Sequence, residues 1–126
     1  MFALTFLFLQ PRTVEALTFD NVPYIETREQ YQRRILEQYD WNADIAYKVM
    51  MAESGGNTKA FNPEWHSKCQ GSYGAMQLSC LHYIENPSAL FDFEFNVQKA
   101  YELYKRNGFS PWSVCTNGKV DCTIVP

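Results

Sequence analysis

Apolar residues recur every four positions along two early stretches of the chain, which is the spacing that lays them on one face of a helix. Tyr31, Ile35 and Tyr39 form the first such row. Thr27 with Gln30 three residues later is a capping box, so the spacing predicts a helix from about 28 to 39. Asn42 is a good cap for a second helix, in which Ile45, Val49 and Glu53 fall at i, i+4 and i+8 beside Ala46 and Met50. Gly55-Gly56 stops that helix. From Asn57 to Gly74 the residues are mostly polar, with Pro63, Gly71 and Gly74 among them, and this reads as an irregular loop. Ala75 to Cys80 reads as a short strand or the turn into another helix. Asp92 caps a third long helix through about Asn107, with Phe93, Val97, Ala100, Tyr101 and Tyr104 on its apolar face and Gly108 at its end. The expected fold is mainly α, a small helical domain with a short loop or strand segment beside it.

At 126 residues the chain suits one domain around one core. A hydrophobic share of 46% and a charged share of 20% are those of a folded chain. With a net charge of -3 and no run of Lys or Arg, nothing invites a phosphate backbone, so no nucleic-acid partner is expected. The start reads as a signal peptide over residues 1–16, with apolar Phe2–Leu9 and small residues up to Ala16, although a buried terminal strand is the alternative. Residues 17–26 read as a linker and 27–126 as the domain. The apolar run is too short to span a bilayer, which takes ~20 residues as a helix. The expected product is a secreted or cell-envelope monomer.

Four cysteines behind a plausible leader favour two disulfides. Nearest neighbours, Cys69 with Cys80 and Cys115 with Cys122, are the preferred pairing because each pair brackets a polar, turn-rich segment. A zinc centre can be drawn from His66, Cys69, Cys80 and His82, but the spacing matches no tight zinc signature. No metal or other cofactor is expected.

Glu53 stands on the apolar row of the second helix, where an ionised, unpaired carboxylate costs free energy. Apolar neighbours and the negative end of the helix dipole both favour its protonated form. A protonated carboxyl is what a glycosidic oxygen needs in order to leave. A solvated carboxylate in the last turn, or one bonded to backbone amides, is the alternative.

Ala52-Glu53-Ser54-Gly55-Gly56-Asn57, then Asn62, then Gly71-Ser72-Tyr73-Gly74-Ala75-Met76-Gln77-Leu78, resembles the lytic transglycosylase and lysozyme-like superfamily in order and spacing. Asn96-x-x-x-Ala100-x-x-x-Tyr104 and Gly108-x-x-Pro111-Trp112 resemble its closing helix and its glycine-proline-tryptophan corner, so the resemblance covers residues 41 to 113. It implies an enzyme that cuts peptidoglycan strands at the MurNAc-GlcNAc β-1,4 bond, with Glu53 as acid and base and Ser54 helping to hold the site. It further implies Gln77 as a substrate contact, Met76 on the cleft floor and Tyr104 near the acid. Asn62 and Tyr73 are loop candidates for sugar contacts, and Trp65 is a stacking candidate, whereas Trp112 reads as a buried anchor. For Gln77 a structural bond to loop backbone is equally open, for Met76 core packing is the preferred reading, and helical spacing alone would place Tyr104 in the core.

No clear second carboxylate accompanies Glu53. Glu64 reads as a solvated loop residue, with reach into the cleft as the alternative, Asp92 as a cap, and Asp44 as a first-turn acid that suits the dipole. This leans towards a lytic transglycosylase with one catalytic glutamate. A hydrolytic muramidase using a second carboxylate or a positioned water, and a non-catalytic glycan-binding module, are the alternatives.

Overall fold

A computed structural model of the chain describes residues 23–123. The expected signal segment, most of the linker and the last three residues lie outside the described residues. Helix α1 spans Arg28–Leu36. Its capping box forms in full, with Gln30 N–H donating to Thr27 Oγ1 at 3.1 Å and Thr27 N–H to Gln30 Oε1 at 2.9 Å. The helix ends a turn short of the expected residue 39. Gln38 and Tyr39 make tighter backbone bonds to Ile35 and Leu36, and the Trp41 indole N–H takes the Leu36 carbonyl at 2.8 Å, so helical bonds cannot continue there.

Helix α2 spans Ala43–Ser54, capped by the Asn42 side chain on the Ile45 N–H. Gly55 closes it in the left-handed region at φ 64°, which glycine adopts without strain. The polar stretch that follows is ordered as strands rather than irregular loop. Strand β1 is Phe61–Trp65 and strand β2 is Gln70–Tyr73, paired antiparallel with a bulge between Asn62 and Trp65. Strand β3, Leu78–Ser79, completes a three-stranded sheet of order β1-β2-β3. The pattern concealed this hairpin because β1 is exposed along its whole length, so no apolar alternation marks it. Pro63 is tolerated because β1 is an edge strand.

Two 3₁₀ turns, Cys80–Tyr83 and Pro87–Phe91, lead into helix α3 at Phe93–Asn107, which Asp92 caps. A short helix α4, Ser113–Thr116, follows the Gly108–Trp112 corner. The core joins Leu36 of α1, Val49 and Met50 of α2, Met76, Leu78, Leu90 and Val97 of α3, all at or below 2% exposure. Mostly helical elements around one small sheet make this an α+β domain. The four cysteines form Cys69–Cys80, which ties the hairpin to the first 3₁₀ turn, and Cys115–Cys122, which closes a small loop after α4. In these bonds the sulfurs offer no thiolate to a zinc ion.

Among the described residues no helix is long and apolar enough to cross a membrane.

Candidate active site

A cleft of about 260 Å³ opens between the sheet and the Pro111–Ser113 corner. Glu53 enters it from the last turn of α2. Asn62, Glu64 and Ser72 approach from the hairpin, Gln77 to Ser79 and His82 from β3 and its turn, and Leu103 from α3.

Glu53 is half-buried, and that burial raises its carboxyl above the usual glutamate range. The Lys119 ammonium pulls the other way, and the Glu64 carboxylate adds to the rise. The dipole of α2 places its negative end in the same turn, so the neutral acid is favoured again. A carboxyl with raised proton affinity is better able to donate a proton to a leaving oxygen.

Three contacts fix the walls on either side of Glu53. Ser54 donates to the Ala75 carbonyl at 2.6 Å and accepts from the Gly56 N–H at 3.1 Å, joining the end of α2 to the segment before β3. Asn96 of α3, fully buried, donates to the carbonyls of Tyr73 and Leu90 and accepts from the Met76 N–H, each at 2.9 Å. The Trp112 indole N–H bonds the Met76 carbonyl at 2.9 Å and so fastens the corner to the same segment. Gly74 has to be glycine here, since a Cβ would stand 2.4 Å from the Leu90 carbonyl oxygen and 2.5 Å from Asn96 Nδ2.

Gln77 stands at φ 50°, in the left-handed region that costs a side-chain-bearing residue about 1–2 kcal/mol. Its amide donates to the carbonyls of Ala60 at 3.2 Å and Gly74 at 3.0 Å. Gln77 therefore both satisfies loop backbone and lines the cleft. Strain held in place by hydrogen bonds beside a cleft is a feature of functional sites.

The structure brings Glu53, Asn62 and Gln77 together, and it separates the other expected contacts from them. Ser54 spends its hydroxyl on backbone, so it supports the site instead of touching a ligand. Met76 is wholly buried in the core. Tyr73 packs its ring against Phe61 and Phe91 and donates to the Gln70 carbonyl at 3.2 Å, away from the cleft. Tyr104 stands in an aromatic cluster with Trp41, Tyr101 and Phe109, again outside the cleft lining. Helical spacing puts Tyr104 on the core face of α3, and packing prevails there. Trp65 is 78% exposed on β1 and does not line the cleft. Trp112 is the buried anchor expected, at 3% exposure, with one edge on the cleft.

Glu64 was expected in solvent. It is exposed, yet it lines the cleft, and Asn62 Nδ2 donates to its Oε1 at 3.4 Å. The reason is the hairpin: β1 carries Asn62 and Glu64 to the wall opposite Glu53, which a free loop would not do. Sequence reasoning also passed over His82, Ser72, Ser79 and Leu103 as cleft residues. His82 is held below the usual histidine range by burial first, then by the charges of Arg106, His66 and Lys99, so it faces the cleft as a neutral ring near neutral pH. Its position follows from the 3₁₀ turn, and no periodicity announces one of those.

The site thus sets a half-buried carboxyl at a helix end within a cleft whose other wall is a small polar hairpin. The chain belongs to the lysozyme-like domain family, whose family model matches residues 36–114, well over half of the 126-residue chain. No curated protein and no solved structure matches the chain. Membership points to cleavage of peptidoglycan glycan, and with two disulfides it is compatible with a location outside the cytoplasm. The match covers α2, the hairpin, α3 and the tryptophan corner, and it stops before the Cys115–Cys122 loop.

Proposed function

We propose that the protein is a lytic transglycosylase that cuts the MurNAc-GlcNAc β-1,4 bond of peptidoglycan, with Glu53 as its catalytic acid and base. The observation that carries this reading is Glu53 itself, a carboxyl whose proton affinity is raised by burial at the wall of a polar cleft. Glu53 donates its proton to the glycosidic oxygen as the bond to the muramyl C1 breaks and positive charge develops on the sugar. The resulting carboxylate then takes the proton of the same sugar's 6-hydroxyl, whose oxygen bonds to C1 and closes the 1,6-anhydro ring. Protons balance, and water takes no part. Gln77 and Asn62 line the path of the strand and supply hydrogen-bonding groups to its hydroxyl and N-acetyl substituents.

Glu64 supports a second reading, hydrolysis, because it shares the cleft and its charge reaches Glu53. Paired carboxylates across a sugar are the equipment of hydrolytic glycosidases. Transglycosylation is preferred because Glu64 is exposed on an edge strand and is held through the long Asn62 contact alone among the hydrogen bonds of the described residues.

Digestion of purified peptidoglycan, followed by mass spectrometry of the products, tests both. Muropeptides ending in 1,6-anhydro groups are expected, and reducing ends would replace this reading with hydrolysis. Glu53→Gln is expected to abolish cleavage while retaining the fold by circular dichroism. Unchanged lysis by that variant would refute the role of Glu53, and a parent that binds the strands without cutting them would leave a glycan-binding module.

A further inference from the structure

The loop closed by Cys115–Cys122 begins where the family match ends, and it lies directly after the cleft-lining residues Pro111 to Ser113. It is anchored at both sides. The Val120 N–H bonds the Val114 carbonyl at 2.8 Å, and both valines are buried in the core. Gly118 turns the chain at φ 82°, and the Lys119 N–H bonds Asn117 Oδ1 at 2.9 Å, so the backbone of Lys119 is fixed on both sides while its side chain is exposed.

The Lys119 side chain stands outside the cleft lining, on the loop that follows it, and carries a charge the lining lacks. The lining includes Glu53 and Glu64 and contains no Lys or Arg. An anionic ligand entering it meets carboxylates, within a protein whose net charge is already -3. The Lys119 charge reaches Glu53, yet its ammonium forms no ion pair among the described residues. Such an ammonium, held on a pinned loop beside an acidic cleft, is available to a carboxylate on the ligand.

We propose that Lys119 is a specificity-determining residue that pairs with a carboxylate carried by the glycan strand, so that the cleft selects carboxyl-bearing glycan over its neutral counterpart. This rests on the glycan-cleaving reading above. The disulfide loop is the device that holds Lys119 in place, and it lies beyond the residues that the family model matches.

The test compares cleavage of peptidoglycan strands bearing free carboxylates with the same strands after amidation of those carboxylates. The quantity read is the ratio of kcat/KM for the two substrates. Any effect of Lys119 on the proton affinity of Glu53 is common to both substrates and cancels in it. The parent should favour the free carboxylates, and the preference should weaken as salt rises. Lys119→Ala should lower the ratio by about tenfold, the loss expected for one charge-assisted hydrogen bond. Lys119→Arg should keep most of the ratio, and Lys119→Glu should invert it. Opening the loop by Cys115→Ser with Cys122→Ser should lower the ratio as Lys119→Ala does. An unchanged ratio in Lys119→Ala or in the double serine variant overturns the assignment, with cleavage by the parent intact. A parent that cuts neither strand instead overturns the glycan-cleaving reading on which it rests.

Discussion

Replacing Asn96 with leucine keeps the branching and heavy-atom count of the side chain, adds some volume, and removes its hydrogen-bonding capacity, so the loss reads chiefly what three contacts contribute. Asn96 is fully buried on α3, where it holds the Met76 N–H and the carbonyls of Tyr73 and Leu90. Each buried polar group left without a partner costs about 1–3 kcal/mol. Relaxation and water entry recover part of a threefold loss, so the net destabilisation should be about 3–5 kcal/mol, at the upper end of single substitutions. With roughly 4–8 °C of melting temperature per kcal/mol for a domain near 100 residues, the midpoint should fall by at least about 12 °C. Urea denaturation at fixed pH measures the free energy directly through the midpoint, provided the slope is unchanged. Asn96→Asp supplies the control. Its carboxylate retains an acceptor for the Met76 N–H but faces two carbonyl oxygens when ionised, so its folded pKa should lie above the unfolded value. That variant should be most stable below the unfolded pKa of about 3.9 and should lose stability as the pH rises through its folded pKa. A loss under 1 kcal/mol in Asn96→Leu, or no added pH dependence in Asn96→Asp, would refute the claim that this side chain clamps the cleft wall.

Three further outcomes follow from the same geometry. Because burial raises the Glu53 carboxyl, cleavage should persist above the pH at which an ordinary glutamate loses its proton and then decline as the pH rises through the folded pKa. The sign for stability is parallel: the folded state is favoured while Glu53 is protonated and loses that advantage with rising pH, so Glu53→Gln should melt higher than the parent at neutral pH, and an equal or lower melting temperature counts against the buried acid. Gly74→Ala should lose about 2 kcal/mol or more in denaturation, since the added Cβ meets a backbone oxygen at 2.4 Å and φ 77° is unfavourable for alanine, and a neutral result would mean the turn can shift.

The three main helices, and the stops of α2 and α3, were legible from local signals, whereas the end of α1 at Leu36 was set by the Trp41 indole on the Leu36 carbonyl. A capping box at Thr27, caps at Asn42 and Asp92, and glycines at 55 and 108 act over three or four residues, so local sequence specifies them. Glu53 stood out for the same reason, a carboxyl placed on a helical row of apolar residues. Nearest-neighbour cysteines likewise joined across short polar segments.

Tertiary structure decided what faces Glu53. The exposed strand β1 carries no apolar alternation, and its pairing to β2 exists through backbone bonds that any side chain permits, so the approach of Asn62 and Glu64 to the cleft has no local signature. Tyr104 and Met76 illustrate the converse. Their positions in the motif suit a ligand contact, but the helical face of one and the depth of the other turn them into the core. The charge of Lys119 reaches Glu53 only because a disulfide and the Val120 bond to Val114 fold the final loop back. Sequence by itself determined the helix and the place of Glu53 on its apolar row, because helix caps and periodicity are short-range. The neighbours that set its charge, and the wall across from it, are long-range contacts that exist once the chain has closed on itself.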